Sequence, residues 1–189
     1  MNVRFYFFER LSEAYLYSIQ LLVCIDEIPI ICCMFDLYLS QNIMKDSITI
    51  FYADDDHDDI ELFTEAIDLI DRPTVLYTHD NGENLLKAVN NPPPTPHIIF
   101  LDLNMPGKNG FDVLKELKTS KDHSNIPVVV FSTSSDNTSI SKSMALGANF
   151  FVTKMGAFKD FKKSIEFALS INWSNFKPAN DNFVYRNVV

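Results

Sequence analysis

Several polar residues of the sequence directly follow apolar runs, and their types could together bind a phosphoryl group. Three consecutive aspartates, beginning with Asp54, follow the run ITIFYA, and Asp102 follows IIFL. Two carboxylates about 4 Å apart repel by roughly 4 kcal/mol at an effective dielectric constant near 20, so aspartates that share a pocket need a cation. Oxygen ligands without a thiolate or a pair of histidines favour a hard ion such as Mg²⁺. Ser132 and Lys154 end two later runs and would offer a hydroxyl and an ammonium to phosphoryl oxygens.

The sequence lacks the glycine-rich loops that hold nucleotides. Neither G-x-x-x-x-G-K-[ST] nor G-x-G-x-x-G occurs in it, and it is in such loops that the backbone cradles the phosphates of a nucleotide. Carboxylate nucleophiles are known to form acyl phosphates. We therefore predict that one of the aspartates itself accepts the phosphoryl group.

The elements that would position these residues are apolar runs of strand length, which alternate with amphipathic stretches of helix length from residue 46 onward. The runs HIIFLDL and PVVVFS are almost continuously apolar, as expected for strands of a parallel sheet that is covered on both faces. Ile60, Phe63 and Ile67 recur with the spacing of a helix. We predict strands at 47–53, 74–78, 97–101, 127–131 and 149–152 and helices at 58–70, 82–89, 110–120, 137–146 and 158–171.

This alternation of strands and helices predicts an α/β fold, a doubly wound five-stranded parallel sheet sandwiched by helices. In open sheets of this kind, ligands bind at the carboxyl ends of the strands. The polar residues that follow the apolar runs would meet at that edge.

Charge and cysteine usage exclude several classes of protein. The 189 residues include 16 Lys and Arg against 25 Asp and Glu, a net charge of −9, which is the wrong sign for neutralising a phosphate backbone. Direct binding of nucleic acid is therefore not expected. The cysteines, Cys24, Cys32 and Cys33, are odd in number and give neither a disulfide framework nor a C-x-x-C metal pair. We expect a reducing compartment, the cytoplasm.

The first 43 residues differ in character from the rest of the chain. Their longest uncharged run, 14–25, has 12 residues, fewer than the roughly 18 needed to span a bilayer. Apolar residues between Phe8 and Leu22 could form one face of a helix. Three interpretations stay open for this N-terminal extension: an upstream start outside the functional protein, a packing or dimerising helix, and a peripheral membrane contact.

We predict that the domain itself spans 44–172 and that 1–43 is an extension. The tail at 173–189 is too short for a DNA-binding or enzymatic output domain.

Short motifs follow one another in a specific order: ADDD at 53–56, DLNMPGKNG at 102–110, PVVVFST at 127–133, GA at 147–148 and FVTK at 151–154. In this order and spacing, over about residues 46 to 172, the chain resembles a receiver domain of two-component response regulators. The resemblance implies a CheY-like, flavodoxin-like fold and a single-domain response regulator. Such a protein takes a phosphoryl group from a histidine kinase or a phosphotransfer protein with Mg²⁺, and it signals through altered affinity for another protein.

The resemblance also implies which residues form the metal and acceptor site. Asp102 would be the phosphoacceptor, and Asp54 and Asp55 would be the acidic pair at the metal. Asp102 and the backbone carbonyl of Asn104 would complete the protein ligands of the Mg²⁺.

Three further residues match positions that respond to phosphorylation in the family. Lys154 would pair with the phosphoryl group, Ser132 would hydrogen-bond it, and Phe151 stands at the position of the switch aromatic. The chain departs from the family at Met155, where a proline usually follows the lysine.

Every one of these residues has a structural alternative. Asp54 and Asp55 could cap the first helix, and Asp102 could be a turn residue. Ser132 could be an ordinary strand-end hydroxyl, Lys154 a surface lysine and Phe151 a core aromatic. For Asp56, Asp58 and Asp59 we expect capping or solvation, and the four histidines show no ligand spacing.

The sequence leaves two other functions open. A Mg²⁺-dependent phosphohydrolase with an aspartyl nucleophile commonly carries a second aspartate two residues after the nucleophile, and here that position is Asn104. A binding module that works without phosphorylation would not need Asp102 and Lys154. Both residues are present.

Overall fold

The structure is a computed structural model, and it describes residues 2–5, 47–154 and 156–186. The strands are β1 (Asn2–Phe5), β2 (Ile48–Ala53), β3 (Thr74–His79), β4 (Ile98–Leu101), β5 (Val128–Ser132) and β6 (Phe150–Thr153). The helices are α1 (His57–Asp68), α2 (Gly82–Val89), α3 (Gly110–Thr119), α4 (Asn137–Ala145) and α5 (Phe158–Ser170). All ten predicted elements are confirmed, with ends that differ by no more than two residues.

The strands lie in one sheet in the order β1-β3-β2-β4-β5-β6. Strands β2 to β6 pair in parallel, which confirms the predicted five-stranded parallel sheet. Strand β1 pairs antiparallel with β3 at one edge, where Asn2 lies opposite Thr78. It is an addition to the predicted strands.

Apolar layers cover both faces of the sheet. Successive side chains of a strand point to opposite faces, so Phe51 packs with Leu85 of α2 and Val113 of α3, whereas Tyr52 packs with Phe63 of α1 and with residues of α5. These side chains are completely buried. The two apolar layers hold the strands in place. The carboxyl ends of the strands lie at the edge of the sheet, outside these layers, where polar residues follow them.

Gly110 lets helix α3 begin directly against the end of β4. A Cβ atom at this position would lie 2.1 Å from the carbonyl oxygen of Asp102 and 2.7 Å from the Cα of Leu103, so any larger residue would push the helix away. The N–H of Gly110 donates a hydrogen bond to the carbonyl of Leu103 at 3.0 Å. The segment that carries Asp102 is thus held by the start of α3.

The tail packs back onto the domain along β6. The N–H of Phe151 donates to the carbonyl of Phe183 at 2.8 Å, and the N–H of Tyr185 donates to the carbonyl of Phe151 at 2.8 Å. Phe183 is 1% exposed and belongs to the same apolar layer as Phe51. Residues 183–185 therefore extend the sheet at its β6 edge.

Some expectations fall on residues outside those that the structure describes. These are the helical face between Phe8 and Leu22, the three cysteines and Met155. Among the helices that the structure describes, none has both the length and the apolar composition needed to cross a membrane.

Candidate functional site

The carboxyl ends of four neighbouring strands bring the predicted site residues to one edge of the sheet. Asp54 follows β2, Asp102 follows β4, Ser132 ends β5 and Lys154 follows β6. Carboxylate oxygens of Asp54, Asp55 and Asp102 all lie within 4.8 Å of one another. Asp54 and Asp102 are buried, at 1% and 4% exposure, whereas Asp55 is exposed. These three aspartates, called the acidic group below, are therefore buried at Asp54 and Asp102 and open to solvent at Asp55.

The ammonium group of Lys154 lies among three carboxylates. Its Nζ donates hydrogen bonds to Asp54 Oδ2 and, at 2.9 Å, to Asp59 Oδ2, and it lies 3.3 Å from Asp102 Oδ1. Burial alone would lower the pKa of Lys154, but the carboxylates of Asp102 and Asp54 raise it more, so this pKa lies above its ordinary value. With its side chain only 4% exposed, Lys154 is a buried cation and not a surface lysine.

Asp54 accepts hydrogen bonds from three groups. The hydroxyl of Tyr52 and the ammonium of Lys154 both donate to Oδ2, and the N–H of Asp56 donates to Oδ1 at 3.1 Å. Burial raises the pKa of Asp54 above its ordinary value, although the Lys154 charge and these hydrogen bonds oppose the rise. Tyr52 is not among the predicted site residues. It lies two residues before Asp54, and residues two apart on a strand share a face, so this spacing is the sequence signal that could have identified it.

The start of helix α1 separates the roles of the remaining aspartates. Asp56 is the N-cap, and its Oδ1 accepts the N–H of Asp58 at 2.9 Å, which confirms the capping expectation for Asp56. For Asp59 the expectation of capping or solvation is wrong, because its carboxylate binds Lys154. Asp59 is the third residue of α1, and its contact with Lys154 brings its carboxylate to the same edge as Asp54 and Asp102.

Asp102 is oriented by backbone groups. Its Oδ2 accepts the N–H of Asn104 at 2.5 Å, and its own N–H donates to the carbonyl of Ala53 at 2.9 Å. The amide side chain of Asn104 in turn donates to Ser134 Oγ at 3.0 Å. One carboxylate oxygen is therefore held by the loop, while the other, Oδ1, faces the ammonium of Lys154.

Ser132 and Phe151 are both completely buried. Ser132 Oγ accepts the N–H of Ser134 at 3.4 Å, and the carbonyl of Ser132 accepts the N–H of Lys154 at 2.9 Å. Phe151 lies in the core with its ring centroid 6.3 Å from that of Phe183. The roles expected for Ser132 and Phe151 on phosphorylation stay predictions.

The donor set at this edge fits a hard divalent cation. Asp54, Asp55 and Asp102 offer carboxylate oxygens within a span that one ion can bridge, and the ammonium of Lys154 does not balance their combined charge. Oxygen-only ligands of this kind are typical of Mg²⁺ or Mn²⁺.

Residues 50–166 match the family model described as the response regulator receiver domain. The chain therefore belongs to this family, whose members act in two-component signal transduction.

Among curated proteins, the chain is similar to response regulator Rcp1 of Synechocystis sp., with 41% identity over 73 residues, 39% of this chain and 50% of that protein. It is also similar to two-component response regulator ARR17 of Arabidopsis thaliana, with 37% identity over 67 residues, 35% of this chain and 44% of that one. The matched segments thus span about half the length of these relatives.

Two solved structures share the fold. The crystal structure of the Mn²⁺-bound form of Rcp1 superposes on this chain with a TM-score of 0.61 and 29% sequence identity. The alignment covers 70% of this chain and 99% of the Rcp1 chain. The crystal structure of the phosphorylated cyanobacterial phytochrome response regulator RcpA superposes with a TM-score of 0.61 and 28% sequence identity. This alignment covers 70% of this chain and 97% of the RcpA chain. These likenesses confirm the CheY-like architecture.

Proposed function

We propose that the protein is a single-domain response regulator that accepts a phosphoryl group on Asp102 and signals through altered affinity for another protein. The observation that carries the proposal is the position of Asp102. Its carboxylate lies with those of Asp54 and Asp55 at the carboxyl edge of the sheet, and its Oδ1 lies 3.3 Å from the buried ammonium of Lys154.

In this proposal Mg²⁺ is held by the carboxylates of Asp54, Asp55 and Asp102 and by the backbone carbonyl of Asn104. The bound ion would neutralise negative charge on the phosphoryl oxygens during the transfer. The Mn²⁺-bound form of the similar protein Rcp1 supports the choice of a divalent cation.

The transfer itself needs a nucleophile and positioned charges rather than a general base. A carboxylate oxygen of Asp102 attacks the phosphorus of a phosphohistidine, the P–O bond forms as the P–N bond breaks, and the imidazole leaves as a neutral base that keeps the proton on its other ring nitrogen. The N–H of Asn104 orients the Asp102 carboxylate. Lys154 pairs with the incoming phosphoryl oxygens, and the Ser132 hydroxyl donates a hydrogen bond to them.

Signalling would follow from contacts that only the phosphorylated form makes. Ser132 and Lys154 are joined by a backbone hydrogen bond between β5 and β6, so a phosphoryl group that binds both side chains would pull on both strands. Phe151, on β6, would move with them.

The phosphoryl donor would be a histidine kinase or a phosphotransfer protein. Because RcpA is described as a phytochrome response regulator, a phytochrome-type histidine kinase is the first donor to try. We also propose that residues 44–172 are the receiver domain, that 1–43 are an extension, and that the domain acts in the cytoplasm without binding nucleic acid.

Intact-mass analysis after incubation with acetyl phosphate tests this proposal. We expect one added phosphoryl group that requires Mg²⁺ and that is lost again with time. The proposal would be contradicted if the protein gained no phosphoryl group from any donor, or if it hydrolysed p-nitrophenyl phosphate with steady turnover.

A further inference from the structure

Lys154 has a carboxylate partner to which the proposed phosphoryl transfer assigns no role. Asp59 lies in the first turn of α1 rather than at the end of a strand, yet its Oδ2 is 2.9 Å from Lys154 Nζ. This contact is shorter than the 3.3 Å between Lys154 Nζ and Asp102 Oδ1. The lysine therefore reaches toward α1 as well as toward the acceptor.

We propose that Asp59 is a positioning residue that holds Lys154 in the unphosphorylated protein and gives the lysine up when Asp102 is phosphorylated. In this exchange the ammonium leaves Asp59 and binds a phosphoryl oxygen. The inference rests on the function proposed above, because it concerns the state of the same lysine.

In the unphosphorylated protein the ammonium of Lys154 is shared among three carboxylates. A lysine ammonium has three N–H donors, and Asp54, Asp59 and Asp102 already surround it. A phosphoryl group on Asp102 brings more negative charge than the carboxylate it replaces. The donor that faces Asp102 can pass to this group, so a second hydrogen bond from Lys154 to it has to come from the contact with Asp54 or with Asp59.

The burial of the partners decides which contact is weakened. The side chain of Asp54 is 2% exposed and also holds the Tyr52 hydroxyl, so the loss of Lys154 would leave a buried charge without its counter-ion. The side chain of Asp59 is 27% exposed, so it can turn to water at little cost. Asp59 is therefore the partner that Lys154 releases.

Without Asp59 the lysine no longer has to be released before it binds the phosphoryl group. We therefore expect Asp59→Asn to bind beryllofluoride, a mimic of the phosphoryl group, about threefold to fivefold more tightly at saturating Mg²⁺, the upper part of the range that ion pairs with solvent-accessible partners contribute. Asp58→Asn is the matched control, since it makes the same change of charge in the same turn of α1 at an exposed side chain.

The experiment measures beryllofluoride affinity by calorimetry on the full chain for the wild type, Asp59→Asn, Asp59→Glu and Asp58→Asn. A second readout, without any ligand, is the rate at which the Lys154 ammonium protons exchange with water in spectra of ¹⁵N-lysine-labelled protein. We expect faster exchange in Asp59→Asn, wild-type behaviour in Asp58→Asn and partial recovery in Asp59→Glu, since the longer side chain restores the carboxylate.

The outcomes separate the inference from the proposed function. Equal shifts in Asp59→Asn and Asp58→Asn would show a general effect of charge and would overturn the role of Asp59. Weaker binding by Asp59→Asn would overturn it as well. A wild-type protein that neither binds beryllofluoride nor becomes phosphorylated would instead remove the proposed function, and the inference with it.

Discussion

The Tyr52 hydroxyl and the Lys154 ammonium donate hydrogen bonds to the same carboxylate oxygen, Asp54 Oδ2. Burial raises the pKa of Tyr52 well above its ordinary value, and the nearby Asp54 charge raises it further. The phenol therefore stays protonated and serves as a fixed donor. It joins the apolar core beneath the sheet to the acidic edge, because its ring stacks on Phe63 at a centroid distance of 4.1 Å.

Removal of this hydroxyl should weaken both the fold and the metal site. We expect Tyr52→Phe to lower the free energy of unfolding by about 1 to 2 kcal/mol, since a buried charged acceptor loses a donor. Mg²⁺ affinity should fall as well, because Asp54 then protonates more readily. Urea unfolding with and without Mg²⁺ measures both effects. Tyr77→Phe, at a half-buried position on β3, is the control, and equal effects in the two variants would contradict the role of Tyr52.

The exposed member of the acidic group allows a separate test of the metal site. Asp55→Asn should bind Mg²⁺ at least about tenfold more weakly, because it removes a proposed ligand. Without Mg²⁺ the same variant should be more stable than the wild type, because it relieves repulsion among carboxylates that lie within 4.8 Å of one another. Calorimetric titration with Mg²⁺ and thermal unfolding in chelator measure the two effects, and unchanged Mg²⁺ affinity would exclude Asp55 as a ligand.

His79 should make the stability of the fold depend on pH. Its side chain is 5% exposed, its Nε2 has no hydrogen-bond partner, and burial lowers its pKa from 6.5 to about 4. Between these values the unfolded chain binds the proton and the folded chain does not, so stability falls as the pH falls.

From this histidine alone, we expect the free energy of unfolding to drop by about 3 kcal/mol between roughly pH 7 and pH 4. His79→Phe should lose less stability over that interval, whereas His57→Phe, at an exposed position, should follow the wild type. Urea unfolding at several pH values measures the difference. If the free energy of unfolding fell equally with pH in the wild type and in His79→Phe, this role of His79 would be contradicted.

The tail should contribute to stability through Phe183. Because this side chain is 1% exposed within the core, we expect Phe183→Ala to lower the free energy of unfolding by about 3 kcal/mol. Leu69→Ala, at a residue that is 51% exposed, should cost far less. A small and equal loss in the two variants would show that the tail does not pack on the domain in solution.

The parallel sheet and the core of the site could be predicted because local signals and a general rule agree. The continuous apolar runs that precede Asp102 and Ser132 mark buried strands, and parallel strands bring their carboxyl ends to one edge. This reasoning is enough to bring Asp54, Asp102 and Lys154 together.

The remaining features depend on contacts between residues far apart in the chain. The pairing of β1 with β3 and the packing of Phe183 on Phe151 join segments whose sequences carry no signal for each other. Asp59 lies in an acidic stretch that resembles a solvated helix start. Its role differs from that of Asp58 because Lys154, which is distant in sequence, donates a hydrogen bond to its carboxylate.

The residue that carries the phosphoryl group can be identified directly. After incubation with acetyl phosphate and Mg²⁺, borohydride reduction converts an aspartyl phosphate to homoserine, and peptide mass spectrometry then locates it. We expect homoserine at position 102 in the wild type and no phosphoryl uptake by Asp102→Asn. A label at any other residue of the wild type, or undiminished labelling of Asp102→Asn, would contradict the role of Asp102 as the phosphoacceptor.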